Sequence, residues 1–224
     1  MRTYHGEKAI ISLTSWKARI GTVAKTIYSL LKMCPGFHIV LVLSEEEFPK
    51  KEAELPASLM TLVNNNLVEL LWVYKNYKSF KKVLFTMDKY RDVPVISADD
   101  DCWYTRNYAQ ELLNVLNANP DAKIICYNKN GQNLMQHTEG PCTLYNTKAL
   151  PIFLHAMLLY LKKPNIGTQD DTIMSEVMKR LNITALYANE DAFDLPFIFT
   201  TTVGALNPDQ YRHECYLKCL PITV

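Results

Sequence analysis

The seven residues Phe37 to Leu43 (FHIVLVL) carry a single polar side chain among them. A run so short and so continuously apolar does not alternate, so it suits a strand covered on both faces. Turn-forming residues bound it, Cys34-Pro35-Gly36 before and Ser44-Glu45-Glu46-Glu47 after. Upstream, Ile20, Val23, Ala24, Ile27, Leu30 and Leu31 recur at helical spacing and predict a helix from about Ile20 to Met33. Lys8 to Leu13 (KAIISL) reads as a strand before that helix. Strand, helix, doubly covered strand is the pattern of a parallel sheet with helices on its faces.

The alternation continues. A short helix over Ser58 to Asn64 precedes a strand over Leu67 to Val73, and Ser79 is placed to cap a helix running to Tyr90. A fourth strand lies in Val93 to Asp101, a helix follows over Tyr108 to Leu116, and a fifth strand spans Lys123 to Tyr127. The second half is less regular. It offers a short strand at Thr143 to Asn146, helices over Ala149 to Leu161 and Asp170 to Leu181, and a strand at Ile183 to Tyr187. From Glu190 onward aromatics and prolines occur without periodicity. No repeat or boundary divides the chain, so the expectation is one α/β domain over Met1 to Val224. Its central sheet is Rossmann-like and mostly parallel, flanked by helices. A nucleotide-binding half would end near Tyr127, with an acceptor or catalytic half from about Asn128.

The fourth strand ends in three consecutive acids, Asp99-Asp100-Asp101. Adjacent carboxylates repel, and desolvation adds to the cost unless a cation or hydrogen-bond donors compensate. A hard divalent cation with oxygen ligands, Mg²⁺ or Mn²⁺, would compensate and could then hold a phosphate-bearing ligand. The plainer reading is an acidic turn capping the next helix. In parallel sheets ligands bind beyond the carboxyl ends of the strands. Thr14 to Arg19, Ser44 and the triplet all fall at such ends, which favours a site. Asp170-Asp171 opens a later helix, where its charge suits the dipole; paired with the triplet, it suggests one set for metal and phosphate and another for proton transfer. Lys81 and Lys82 precede the acid strand. One would balance its charge or touch phosphate; the alternative is one buried stem and one solvated head. Trp103 and Tyr104 could wall a sugar site or simply pack, and His213 is a candidate metal ligand in the tail.

Composition narrows the partners. Against 24 Lys and Arg stand 23 Asp and Glu, a net charge of +1, with no basic cluster of the kind nucleic acid requires. The six cysteines are scattered without a CxxC pair, and the first residues lack the apolar core of a secretory signal. Reduced, buried thiols in a cytoplasmic protein are therefore expected. The longest apolar stretch, Ala149 to Leu161, is shorter than the roughly 20 residues of a membrane span, which leaves peripheral attachment at the inner membrane face open.

Several motifs occur in a familiar order: Ser12-Leu13-Thr14-Ser15-Trp16 with Arg19, then Ile39 to Phe48 (IVLVLSEEEF), Pro49 and Leu55-Pro56. Ser79-Phe80-Lys81-Lys82, Val95 to Asp101 (VISADDD), Gly140 to Tyr145 (GPCTLY) and Asp170-Asp171 follow. This series resembles the metal-dependent glycosyltransferases of the GT-A fold, and more narrowly a group of small bacterial glycosyltransferases of surface-polysaccharide and lipopolysaccharide synthesis. The resemblance implies a nucleotide-diphosphate sugar donor, a glycan or lipid-linked acceptor, and Mn²⁺ or Mg²⁺ bound through a DxD-type motif. Asp101 would ligate the metal, with Asp99 or Asp100 near the ribose or a metal-bound water. Thr14, Ser15, Arg19, Ser44 and Lys82 would line the nucleotide sugar. In inverting members a carboxylate deprotonates the acceptor, a role that falls to Asp171 or its neighbour Asp170. A sugar-phosphate nucleotidyltransferase would use the same strand ends but usually carries a Gly-rich loop after the first strand, and none lies between Leu13 and Ile20. A non-catalytic nucleotide-sugar-binding module is the third reading.

Overall fold

The computed structural model describes residues 8–128, 141–163, 166, 170–189 and 195–200. His213, His137, Thr168, Gln169, Cys215 and Cys219 lie outside the described residues.

Nine strands and six helices are described: β1 (Ile10–Thr14), α1 (Val23–Met33), β2 (His38–Ser44), α2 (Ala57–Asn64), β3 (Glu69–Val73), α3 (Lys81–Lys89) and β4 (Val95–Ser97). β5 (Cys102–Tyr104), α4 (Tyr108–Ala118), β6 (Ile124–Asn128), β7 (Thr143–Tyr145), α5 (Pro151–Tyr160), α6 (Asp170–Arg180), β8 (Ala185–Asn189) and β9 (Phe197–Phe199) complete the order. Seven strands form one sheet in the order β3-β2-β1-β4-β7-β6-β8. Only β7 runs antiparallel to its neighbours there, so the sheet is mixed and mostly parallel, as expected.

Strand parity explains the layers. Ile11 and Leu13 of β1, with Ile39, Leu41 and Leu43 of β2, point to one face and join Val23, Ile27, Leu30, Leu59 and Leu112 from α1, α2 and α4. Ile10, Val40 and Val42 point to the other. Further along that face α3, α5 and α6 contribute Leu84, Met87, Phe153, Met157, Met174 and Val177. Ser12 also faces α3, and its hydroxyl is satisfied by Thr86 at 2.6 Å. A polar residue in the central strand is thus tolerated because it has a partner.

Several boundaries differ from the sequence reading. The helix expected from Ile20 starts at Val23, because Arg19 and Ile20 form a turn on the Trp16 carbonyl. It stops as expected, at Cys34 and a left-handed Gly36 (φ +84°). Ser79 does not cap α3; it sits within a 3-10 turn over Lys78–Phe80 that feeds the helix. Cys102–Tyr104 is a strand rather than a loop. It pairs antiparallel with Phe197–Phe199, from the tail that showed no periodicity. The described cysteines, Cys34, Cys102, Cys126 and Cys142, are free and buried. Among the described residues no helix is long and apolar enough to cross a membrane.

At the amino ends of β2 and β3, Glu69 is buried among three donors. His38 Nε2 lies at 2.6 Å, Lys89 Nζ at 2.6 Å and Tyr90 Oη at 2.7 Å. Burial alone would raise this carboxyl, but the three hydrogen bonds outweigh it and hold it down to about 2. Its contribution to stability is therefore complete above its unfolded value of about 4.5 and is lost as pH falls towards about 2. The stability difference between the wild type and Glu69→Gln, read by urea unfolding, should shrink by on the order of 3 kcal/mol between pH 7 and pH 2. A difference independent of pH would refute this account.

Candidate active site

β1 has β2 on one side and β4 on the other, so the chain reverses its direction of travel across the sheet at β1. The connections leaving the two sides part there and open a crevice beyond the carboxyl ends. A cavity of about 140 Å³ occupies it. Thr14, Ser15, Trp16 and Arg19 from the turn after β1 line it, together with Glu47, Asn76, Lys78, Ser79 and Lys81 from the segments after β2 and β3. Lys82, Asp99 and Asp100 close the inner end.

The three acids of the triplet face different partners. Asp100 is buried and turned toward the first loop: its Oδ2 accepts from Ser15 Oγ at 2.5 Å, and its Oδ1 lies 3.0 Å from Arg19 Nη2. Burial pushes the Asp100 carboxyl up to about 6, with the Ser15 hydroxyl and the Arg19 guanidinium limiting the rise. Arg19 Nη1 also binds Asp101. One guanidinium thus spans two adjacent carboxylates, as its planar fork allows. Asp99 pairs instead with Lys82 Nζ at 2.9 Å, and its backbone N–H donates to Tyr104 Oη at 2.9 Å.

β5 and β9 hold the triplet from behind. The Asp100 carbonyl accepts from Thr26 of α1 at 2.8 Å. The Asp101 carbonyl accepts from Thr200 N at 2.8 Å and from its hydroxyl at 3.0 Å. Strand pairing between distant residues thereby fixes the backbone on which the acids stand.

Lys82 also meets the second acidic pair. Its Nζ lies 3.5 Å from Asp170 Oδ2, an ion-pair distance at which that oxygen has no hydrogen-bond donor among the described residues. Only 7 % of the Lys82 side chain is exposed. Burial opposes its charge, but Asp170, Asp99 and Asp171 together outweigh that and hold the ammonium well above its ordinary range. Asp171, one residue further into α6, is half-buried. Lys81 is buried as well, so neither lysine shows the solvated head of the alternative reading. Lys81 Nζ binds Glu47 Oε2 and Asn76 Oδ1, each at 2.9 Å, and burial keeps it below its ordinary range despite Glu47.

Thr14, Ser15, Arg19, Lys82, Asp99 and Asp100 are thus brought together on one cavity, with Asp101 and Asp170 joined to it through Arg19 and Lys82. Ser44 is not a lining residue. It is fully buried behind the wall and donates to Glu47 Oε2 at 2.8 Å, because its side chain falls on the covered side of the β2 end. Of the aromatic wall, Tyr104 is buried in the core and Trp103 stands outside against Tyr28. Glu47, Asn76 and Lys78 were missed, although they too follow strand ends.

The acids suit a hard cation. Asp99 Oδ2 has no partner among the described residues, and Asp101 Oδ1 has only the Cys102 thiol at 3.8 Å. These oxygens offer two carboxylate ligands, which Mg²⁺ or Mn²⁺ commonly supplements with phosphate and water. Among the described residues no trio of His, Cys, Asp or Glu makes a self-sufficient metal cage.

No protein-family model and no curated protein matches the sequence. Solved structures do match in fold. The CTP complex of CMP:2-keto-3-deoxy-manno-octonic acid synthetase superposes with a TM-score of 0.52 at 9 % identity, over 81 % of this chain and 89 % of that one. A 4-diphosphocytidyl-2C-methyl-D-erythritol synthase from Anaerococcus prevotii DSM 20548 gives 0.54 at 10 % identity, over 87 % and 92 %. The glycosyltransferase GlyE of Streptococcus pneumoniae TIGR4 gives 0.52 at 13 % identity, with 80 % of this chain covering 46 % of that longer one. The class defined is therefore one of fold: the α/β architecture that cytidylyltransferases share with GT-A glycosyltransferases.

Replacing Lys82 tests whether this ammonium holds the two acidic groups together. Lys82→Met leaves Asp99 and Asp170 facing each other and should lower stability by about 3 kcal/mol or more. Asp99→Asn in that background should recover part of the loss. A loss under about 0.5 kcal/mol, as for a surface substitution, would refute the bridge.

Proposed function

We propose that the protein is a glycosyltransferase that moves a sugar from a nucleotide-diphosphate donor to an acceptor hydroxyl. The observation that carries this reading is the meeting of Asp99-Asp100-Asp101 with Asp170-Asp171 over Lys82, beside a cavity at the strand ends. Such a transfer needs two kinds of negative group close together. One set compensates and orients the leaving diphosphate, and the other takes a proton from the incoming hydroxyl.

Asp99 and Asp101 would hold Mn²⁺ or Mg²⁺, and the chemistry such an ion supplies is neutralisation of the diphosphate's growing charge. Lys82 places a fixed positive charge beside the same position. Arg19 and Ser15 hold the first loop against the triplet, so that Thr14 and Trp16 keep their places on the cavity wall. Asp170 is buried against Lys82; Asp171, more exposed on the same turn, is the better placed of the two to meet an acceptor. His213 is retained as a further candidate ligand. The acceptor is a hydroxyl of a glycan or lipid-linked glycan, in surface-glycan synthesis.

The nucleotidyltransferase reading has the fold on its side equally. What disfavours it is the first loop, where Ser15 and Arg19 spend their donors on Asp100 and Asp101 and no Gly-rich stretch presents backbone amides to a triphosphate. The two activities consume different substrates. A nucleotidyltransferase releases pyrophosphate from a nucleoside triphosphate and a sugar phosphate, whereas a glycosyltransferase releases a nucleoside diphosphate.

Calorimetric titration with UDP, GDP and CDP, with and without Mn²⁺, should give Mn²⁺-dependent binding of one of them. Asp101→Ala should abolish that dependence while the thermal transition stays in place. Asp171→Asn should keep donor binding and lower transfer by about 10²- to 10⁴-fold. Binding of none of the nucleotides, or pyrophosphate release from a triphosphate and a sugar phosphate, would overturn the reading.

A further inference from the structure

The β5–β9 ribbon that holds the triplet has two faces, as alternating side chains require. Its inner face, with Cys102, Tyr104 and Phe197, is buried in the core. Its outer face is apolar too, and uncovered. Trp103 and Ile198 are cross-strand partners there, and Ile198 is 63 % exposed. Tyr28 of α1, 58 % exposed, brings its ring centroid to 6.4 Å from that of Trp103. Side chains directly opposite on paired strands stand about 5 Å apart. Three large apolar side chains from three elements therefore make one continuous patch, of a kind that marks an interaction surface.

The surroundings of the patch carry one sign of charge. Lys25 and Lys32 stand one turn before and one turn after Tyr28, on the same exposed face of α1. Neither has an ion pair among the described residues. α1 contains no acid, and neither do β5 and β9. The acid next to the ribbon in sequence, Asp101, is paired with Arg19.

An aromatic and aliphatic centre framed by lysines complements a bilayer that contains anionic lipid. The rings and the aliphatic chain suit the boundary between headgroups and acyl chains, and the ammonium groups suit the phosphates. A second copy fits less well. Two-fold pairing of the patch would bring two sets of lysines together. Its apolar centre also falls well short of the roughly 800 Å² that each partner gives to a stable dimer.

We infer that the outer face of the β5–β9 ribbon, with Tyr28, Lys25 and Lys32 of α1, docks the protein on an anionic membrane surface. The docking stands on these surface residues and does not need the proposed transfer. Its consequence for the acceptor does rest on that reading: the ribbon begins one residue after Asp101, so docking sets the acid cluster close to the headgroups, where a lipid-linked acceptor lies.

Sedimentation of the full chain with vesicles of phosphatidylcholine, alone or with phosphatidylglycerol, tests this. The protein should sediment with the anionic vesicles and not with the neutral ones, and salt at about 1 M should weaken the binding. Lys25→Gln with Lys32→Gln should lower the partition by about tenfold or more. Tyr28→Gln with Ile198→Thr should do the same while the thermal transition stays in place. Ile152→Ser removes a comparably exposed apolar side chain from α5, on the other face of the sheet, and should leave the partition unchanged. No sedimentation with anionic vesicles, equal sedimentation with neutral ones, or an equal loss from Ile152→Ser overturns the inference. So does a concentration-dependent dimer that Tyr28→Gln with Ile198→Thr abolishes, which would give the patch to a second copy. Should that apolar variant unfold, the lysine variant decides alone. Nucleotide binding without vesicle binding refutes the docking and leaves the transfer reading standing; vesicle binding without nucleotide binding does the reverse.

Discussion

Three carboxylates in a row at the end of a central strand are an electrostatic problem before they are a site. At an effective dielectric of about 20, two unit charges about 4 Å apart interact by about 4 kcal/mol, so neighbouring carboxylates must be parted or paired with cations. The surrounding fold resolves this by sending the acids in different directions. Asp100 goes inward to Ser15 and Arg19, Asp101 shares Arg19, and Asp99 turns to Lys82. Each cation comes from a different element, the loop after β1 and the first turn of α3. The triplet therefore fastens the loop and the helix to the same point, and the cavity lies between them.

The same compensation explains the rest of the site. Asp99, Asp170 and Asp171 gather around Lys82, so the ammonium that meets the triplet also meets the first turn of α6. Burial raises the Asp100 carboxyl to about 6 even with Ser15 and Arg19 beside it. The backbone beneath is anchored by neutral hydrogen bonds, from Thr26 and Thr200 to successive carbonyls. Charge and scaffold are thus handled by separate groups.

The sheet was legible because its signal is local. Phe37 to Leu43 and Lys8 to Leu13 show doubly covered strands in their own residues, and Pro35-Gly36 marks a helix end without reference to anything distant. The β5–β9 ribbon was not legible, since three residues at Cys102–Tyr104 become a strand only by pairing with Phe197–Phe199. Ser79 looked like a cap because Ser at that spacing usually is one; a 3-10 turn took the position instead. Among the site residues, the triplet and Asp170-Asp171 stood out by charge density. Glu47 and Asn76 did not, because nothing local says that Lys81 will be buried and gather them. Ser44 was chosen for its place at a strand end, yet strand parity sends it behind the wall.

Lys81 and Lys82 are neighbours in sequence and open the same helix, yet they serve opposite parts of the cavity. Successive helical residues diverge by about 100° and are separated by about 1.5 Å along the axis. The two stems therefore leave α3 in directions that one helical turn sets, one toward Glu47 and Asn76 and the other toward the acids. α3 works as a gauge block: it can tilt or slide only by carrying both contacts with it.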